Sequence, residues 1–294
     1  MSDIAIVAQL TINSILFGSM YGISAIGLSL IFGTMRIVFL AQGTFIIFFA
    51  YIAYWLLTLA GIDPYVSILI VVPFAALLGM GFYYAVFKEA AALEDRNVSL
   101  LIAVGLMFLM ENLMTVFWKP DPRAVVTSYT SWVFSPFGTT IQFTRLVALV
   151  LAILATLVVW LFLKRTHIGT AVRAASEDMV STTLMGINPN MVNAVAFALG
   201  IGMAGAAGIG VATVYSFDPV FGFAFSLKSL IALALGGIGN VWGALLGGII
   251  LGFIESFATY YIGSGWTDAV SFGVFLLVLS FLPQGLFGTR ISKA

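Results

Sequence analysis

The chain has no cysteine, one histidine, and charged residues at only 8% of its 294 positions, 12 basic against 12 acidic. Each shortage excludes a class of protein. Without cysteine there is neither a disulfide scaffold nor a thiolate metal cluster. A formal net charge of zero leaves no basic surface for nucleic acid, so no nucleic-acid partner is expected. Soluble domains carry about 25% charged residues. With 62% hydrophobic residues and a mean hydropathy of +1.13, this chain cannot cover an apolar interior with a polar surface. The same numbers exclude a disordered chain. What remains is an all-α fold, a polytopic integral membrane helical bundle lying in a lipid bilayer. At about 20 residues per crossing, residues 1–294 make a single transmembrane domain of roughly eight to ten spans.

The chemistry of self-contained catalysis is also missing. The five lysines follow Phe87, Trp118, Leu163, Leu227 and Ser292. None follows a glycine, so there is no G-x4-G-K-[ST] phosphate loop, and any coupling to ATP must come through a partner. The lone His167 sits beside Lys164 and Arg165 in a polar connector, where a snorkelling surface residue is the better reading than a catalytic base. No catalytic residue, metal ligand or cofactor of the chain's own is expected. Gly200-Ile-Gly202-Met-Ala-Gly205 fits a dinucleotide fingerprint but lies inside an apolar run, where its meaning is close helix packing. Ala204/Gly208, Gly243/Gly247 and Gly248/Gly252 repeat the same small-residue spacing.

Nine apolar runs are present: Ile4–Phe32, Ile37–Ala60, Tyr65–Phe87, Val98–Trp118, Leu146–Leu163, Met191–Val214, Phe221–Leu235, Val241–Ile262 and Thr267–Leu282. The seventh, at about 1.5 Å per residue, falls short of a core about 30 Å thick and reads as a broken, tilted or re-entrant helix. The first is long enough for a short interfacial helix plus a span. It does not read as a cleaved signal peptide, since Asp3 precedes it without a basic residue. Counting all nine as crossings with the N-terminus outside puts Arg36, Lys88, Arg96, Lys164, Arg165, Arg173, Arg290 and Lys293 inside. Lys119, Arg123, Arg145 and Lys228 then lie outside, and the basic excess favours this orientation.

Two connectors are long enough to have a job. The outer one, 119–144, carries Pro120, Pro122, Pro136, Tyr129, Trp132, Phe134 and Phe137 and reads as a lid or docking surface. The inner one, 164–190, spaces Val172, Ala175, Met179, Val180 and Leu184 as on one helix face, between Gly169 and Gly186. It predicts a short amphipathic helix along the inner surface. Polar groups inside runs carry the most weight, because an ionised side chain at bilayer centre costs at least about 2.5–3.5 kcal/mol. Gln42, Glu111, Asn112, Glu255 and Ser256 are such groups, each facing a helix interface, a partner or a water-filled path. Gln42 is expected a turn and a half inside the second helix. Lys228 and Asp268 read as anchors at the outer boundary, and Gly236–Asn240 as a tight inner turn.

Gly27-Leu-Ser-Leu-Ile-Phe-Gly33-x-x-Arg36-Ile-Val38 with Ala41-x-Gly43 resembles the first signature of the branched-chain amino acid ABC importer permeases. Arg173-Ala-x-x-x-Asp178 and Leu184-Met-Gly186-Ile-Asn188 resemble their cytoplasmic coupling segment. Leu227-Lys228, Leu235-Gly-Gly-Ile-Gly239, Gly243-Ala-Leu-Leu-Gly247-Gly248, Gly252-x-Ile-Glu255 and Pro283-Gln-Gly-Leu-Phe-Gly288 follow in order. The likeness is closer to the shorter permease of the pair. It departs at Phe39, Gln42 and Thr44, where the family's signature has Asn, His and an acidic residue.

The resemblance implies a transmembrane permease domain over 1–294 in a bacterial cytoplasmic membrane. Its implied partners are a second, different permease chain, two cytoplasmic ATPases that carry the ATP and Mg, and an external substrate-binding protein. Arg173, Glu177, Asp178, Leu184 and Gly186 then couple to the ATPases, and Gln42, Thr44, Glu111, Asn112 and Glu255 are candidates for the substrate path. Implied substrates are branched-chain or other amino acids, amide- or urea-like molecules, or aromatic acids. The alternative is a stand-alone secondary carrier or channel that uses Glu111 and Glu255 as ion-linked groups.

Overall fold

The computed structural model describes residues 3–92, 96–135, 139–282 and 285–288. Eight of its helices are long and apolar enough to cross a membrane. The first, α1 (Asp3–Met35), is one continuous helix of 33 residues where an interfacial helix plus a span was an option. It ends because Arg36 takes φ 56°, the left-handed cap position that glycine usually supplies, and its N–H donates back to Phe32 O at 2.9 Å. α2 then runs over Gln42–Ala60. The expected span from Ile37 is corrected here: Ile37–Ala41 is a non-helical, largely buried link, and Gln42 is the first residue of the helix, not a residue one and a half turns inside it.

α3 (Ile68–Phe82) passes through a π-helical turn, Tyr83–Phe87, into α4 (Lys88–Ala92), and α5 covers Arg96–Trp118. The outer connector holds a two-stranded hairpin, β1 (Val133–Phe134) with β2 (Ile141–Gln142), and leads into α6 (Phe143–Arg165). Pro136 and Phe137 fall outside the described residues, as do Pro283, Gln284, Arg290, Lys293 and the side chain of Arg96.

The inner connector forms two helices, not one. α7 spans His167–Glu177, and α8 spans Met179–Leu184. The break comes at Asp178, whose carboxylate caps α8 in an extended backbone conformation. Gly169 lies within the first turn of α7, which Thr166 caps by accepting from Gly169 N at 2.9 Å.

α9 (Pro189–Val214) runs back to the end that carries the 119–144 connector, and residues 215–220 form a second non-helical link. Asp218 closes that link by accepting from Val220 N at 2.9 Å and Phe221 N at 3.0 Å. α10 (Phe221–Gly236) is the short seventh run, a helix of 16 residues that begins at the link and falls outside the eight helices long enough to span. The Gly236–Asn240 stretch is a tight turn, as its glycines predict, with Gly237 at φ 88° and Gly239 at φ 78°. α11 (Val241–Tyr261) and α12 (Thr267–Phe281) complete the bundle.

The order long helix, six-residue link, helix, helix occurs twice, in α1–α2–α3 and α9–α10–α11. Packing repeats with it, since α1 lies mainly on α11 as α3 lies on α9. α1 enters and α9 leaves, so the two units are an inverted-topology pair. α1 and α9 form the buried axis and cross where Gly27 and Gly200 meet. A Cβ on Gly200 would stand 2.8 Å from Gly27 O, and one on Gly27 would stand 2.6 Å from Gly200 O. By contrast α12 is almost wholly exposed, and α5 and α6 are largely so.

Candidate functional site

α2 and α10 meet by their N-termini in the interior. Gly43 N donates to Ser226 Oγ at 2.8 Å, and Ser226 Oγ donates in turn to Leu40 O at 2.6 Å. Glycines at 43 and 222 let the backbones touch: a Cβ on Gly43 would lie 2.0 Å from Gly222 O. Gln42 is fully buried and donates through Nε2 to Gly200 O at 3.2 Å. Its Oε1 and the Thr44 hydroxyl have no hydrogen-bond partner. Phe39 is buried among Phe45, Phe87 and Phe197, with ring centres 5.0–5.8 Å away. The structure thus encloses Gln42 and Thr44 within one subunit, at the joint between the broken helices.

Glu255 stands elsewhere, in a crevice of about 650 Å³ between α1, α10, α11 and α12. Its Oε1 lies 2.8 Å from Lys228 Nζ, and its Oε2 accepts from Tyr21 OH at 2.7 Å. Lys228 also lies 3.6 Å from Asp268 and 5.4 Å from the centre of the Tyr21 ring. The expected anchor Lys228 is thus also an ion-pair partner. It is held between two carboxylates, because a charge in an apolar wall is tolerated only when paired. Asn13, Ser256, Thr259, Ser264 and Thr267 add polar groups, while Leu10, Phe17 and Tyr260 supply apolar wall. The crevice lies towards the end of the bundle where α1 begins.

The outer connector closes over that same end. Tyr129 donates to Asp63 at 2.7 Å and stacks on Tyr65. Arg123 pairs by backbone with Phe217, and Thr140 N donates to Gln9 Oε1 at 2.7 Å. Burial and the bond to the Asp63 carboxylate push the Tyr129 hydroxyl well above its ordinary value.

At the opposite end, the α7–α8 pair presents its polar and apolar groups to solution. Arg173, Glu177 and Asp178 are exposed, and Val180, Leu184 and Met185 are 71%, 84% and 81% exposed. Asp178 accepts from Val180 N at 2.9 Å and from the amide and hydroxyl of Ser181. The Ser181 hydroxyl first, then the two amides, holds its carboxyl below the usual aspartate value. Gly186 takes φ 85° in open space, ending the segment. The buried side of α7 rests on the bundle: Arg36 Nη2 donates to Ser176 O at 3.3 Å, and Ser176 faces Gly33 and Gly239.

Glu111 and Asn112 lie on α5, away from the crevice. Asn112 is exposed and donates only along its own helix, to Phe108 O at 2.7 Å. A carrier built on Glu111 and Glu255 finds no shared site here, and Glu255 is neutralised by Lys228. The residues that sequence reasoning passed over are Tyr21, Lys228 and Asp268 as partners of Glu255, and Arg36 as the contact of α7. A lysine alone in one apolar run and a glutamate alone in the next were the available signal for the first group.

The described residues form a polytopic helical membrane bundle with eight candidate spans and an inverted repeat, and the family it belongs to is that of transport permeases. Residues 10–279 match the sequence profile of the family described as branched-chain amino acid transport system, permease component, and the chain belongs to that family. It is 31% identical to the high-affinity branched-chain amino acid transport system permease BraD of Pseudomonas aeruginosa, over 95% of each chain. It is 29% identical to the corresponding LivH permease of Escherichia coli, again over 95% of each. In fold it is similar to PsaBC of Streptococcus pneumoniae, with a TM-score of 0.51, 12% identity and coverage of 92% and 91%. The chain is the permease of an ABC importer, a multi-pass protein of the bacterial cytoplasmic membrane.

Proposed function

We propose that this permease carries apolar amino acids, of the branched-chain type that names its relatives, inward across the membrane. Delivery falls to an external binding protein docking on the outer connector, and energy to two cytoplasmic ATPases that hold the ATP and Mg. The chain itself takes no part in hydrolysis. The observation that carries the ATPase assignment is the α8 surface, where Val180, Leu184 and Met185 stand 71–84% exposed beyond the last turn of a polar helix. Large apolar side chains so placed favour a protein partner. A second permease is supported by the exposed faces of α5 and α12, α5 carrying Asn112, whose Nδ2 bonds to Phe108 O while its carbonyl oxygen faces outward. The test is reconstitution of the permease pair with ATPases and binding protein in liposomes. Uptake of radiolabelled leucine that needs all components and ATP is the expected result. Leucine uptake by this chain alone, driven by an ion gradient, overturns it.

A further inference from the structure

The crevice around Lys228 has the charge pattern of a receptor for a zwitterion, and we infer that it receives the two charged groups of an α-amino acid on its way in. The inference rests on the proposed transport reading and adds the chemistry of recognition. Lys228 has three N–H donors, and its close ion pair with Glu255 at 2.8 Å engages none of them in an aligned hydrogen bond. The 3.6 Å separation from Asp268 exceeds an ordinary N–H···O bond, and the Asp268 side chain is 72% exposed. The site therefore offers a cation with spare donors beside a carboxylate with spare acceptors. A ligand carboxylate on Lys228 and a ligand ammonium on Asp268 would replace the loose contact and leave the tight pair intact.

Three further features fit this assignment. Tyr21 holds the other oxygen of Glu255, at 2.7 Å, so Glu255 positions Lys228 without competing for the ligand. One cation against two carboxylates gives the crevice a net charge of −1, which draws an ammonium and opposes a simple organic anion. Leu10, Phe17 and Tyr260 form the apolar part of the lining, and a volume of about 650 Å³ admits a branched aliphatic side chain. The pattern selects a zwitterion over an acid that lacks the ammonium and over a neutral polar molecule that lacks both charges.

The test uses the complete transporter in proteoliposomes, with leucine uptake and ATP hydrolysis measured together. Asp268→Asn is the primary variant, since an exposed, loosely paired side chain is not needed for folding. The leucine moved per ATP hydrolysed is expected to fall at least about tenfold, the factor expected for one lost charge-assisted contact. Lys228→Met combined with Glu255→Gln removes the tight pair without orphaning a charge, and should lower the same ratio further. An unchanged ratio in both variants, or a fall in uptake and hydrolysis in equal proportion, overturns the inference while leaving the transport reading in place. Wild-type protein that imports no amino acid in the complete assembly overturns the transport reading itself.

Discussion

Gly248→Ala is the sharpest test of how α1 and α11 are joined. A methyl group at 248 would stand 2.2 Å from Gly22 N, 2.4 Å from Gly22 Cα and 2.6 Å from Gly18 O. All three are backbone atoms, so no rotamer change relieves them. The helices must part by roughly 1 Å to restore ordinary contact, losing dispersion along the whole crossing. Overpacking of this kind costs up to about 3 kcal/mol, and alanine returns about 1 kcal/mol of helix propensity, for a net loss near 2 kcal/mol. The matched control is Gly273→Ala on α12, where nothing lies within 4 Å and only the propensity gain applies. In thermal unfolding of the purified protein in detergent, the 248 variant should melt several degrees below wild type and the 273 variant at or above it. The 248 change should also loosen the Tyr21–Glu255 bond, because Tyr21 adjoins Gly22 and Glu255 lies two turns further along α11. A Gly248→Ala protein as stable as Gly273→Ala refutes the backbone contact on which the crossing rests.

Three further outcomes follow from the end of the bundle that carries α7 and α8. Arg36→Gly relieves about 1 kcal/mol of left-handed backbone strain but removes the guanidinium from Ser176 O, so melting should hold or rise while uptake per ATP falls. Leu184→Glu with Val180→Glu should change melting little, because both side chains are exposed, yet abolish co-purification of the ATPases. Asp178→Ala should speed amide exchange at Val180 and Ser181 at neutral pH, whereas Asp178→Asn, which keeps an acceptor, should not. In wild type the Asp178 carboxyl titrates below its ordinary value of 3.8, so its cap is fully present above that value. Protection of those amides should be lost only as pH falls below it, through the lowered folded value.

Hydropathy made the spans legible, because a run of about 20 apolar residues has few alternatives to a membrane helix. The shortness of Phe221–Leu235 was visible for the same reason. The start of α2 was not. Ile37–Ala41 is as apolar as a helix, and what excludes it from one is Arg36 at φ 56°, a backbone state that sequence pattern does not announce. The inner amphipathic stretch was visible from its spacing, but the break at Asp178 depended on a capping geometry that one aspartate among several polar residues does not mark. Within the candidate site, Glu255 stood out as a charge in an apolar run. Its pairing with Lys228, 27 positions earlier, required the packing of α10 on α11, which sequence spacing alone cannot supply.

The arrangement links the ends of the molecule through backbone, not through side chains alone. Ser176 at the end of α7 holds Arg36, and Arg36 begins the link that carries Leu40 and Gly43 to Ser226 on α10. Two residues beyond Ser226 on the same helix is Lys228, paired with Glu255 in the outer crevice. The links at 36–41 and 215–220 lack the continuous hydrogen-bond ladder of a helix, so they deform at lower cost than the helices they join. A displacement of α7 therefore bears on the N-terminus of α2 and, through Ser226, on α10 as a unit. Contact alone does not make a route; both ends must bias one element that has two arrangements. α10 meets the geometric condition, because its N-terminus is tied to the joint and its lysine to the crevice. Arg36→Gly discriminates: it cuts the first contact while sparing the joint and the ion pair. Wild-type uptake per ATP in that variant would leave the two ends uncoupled along this line.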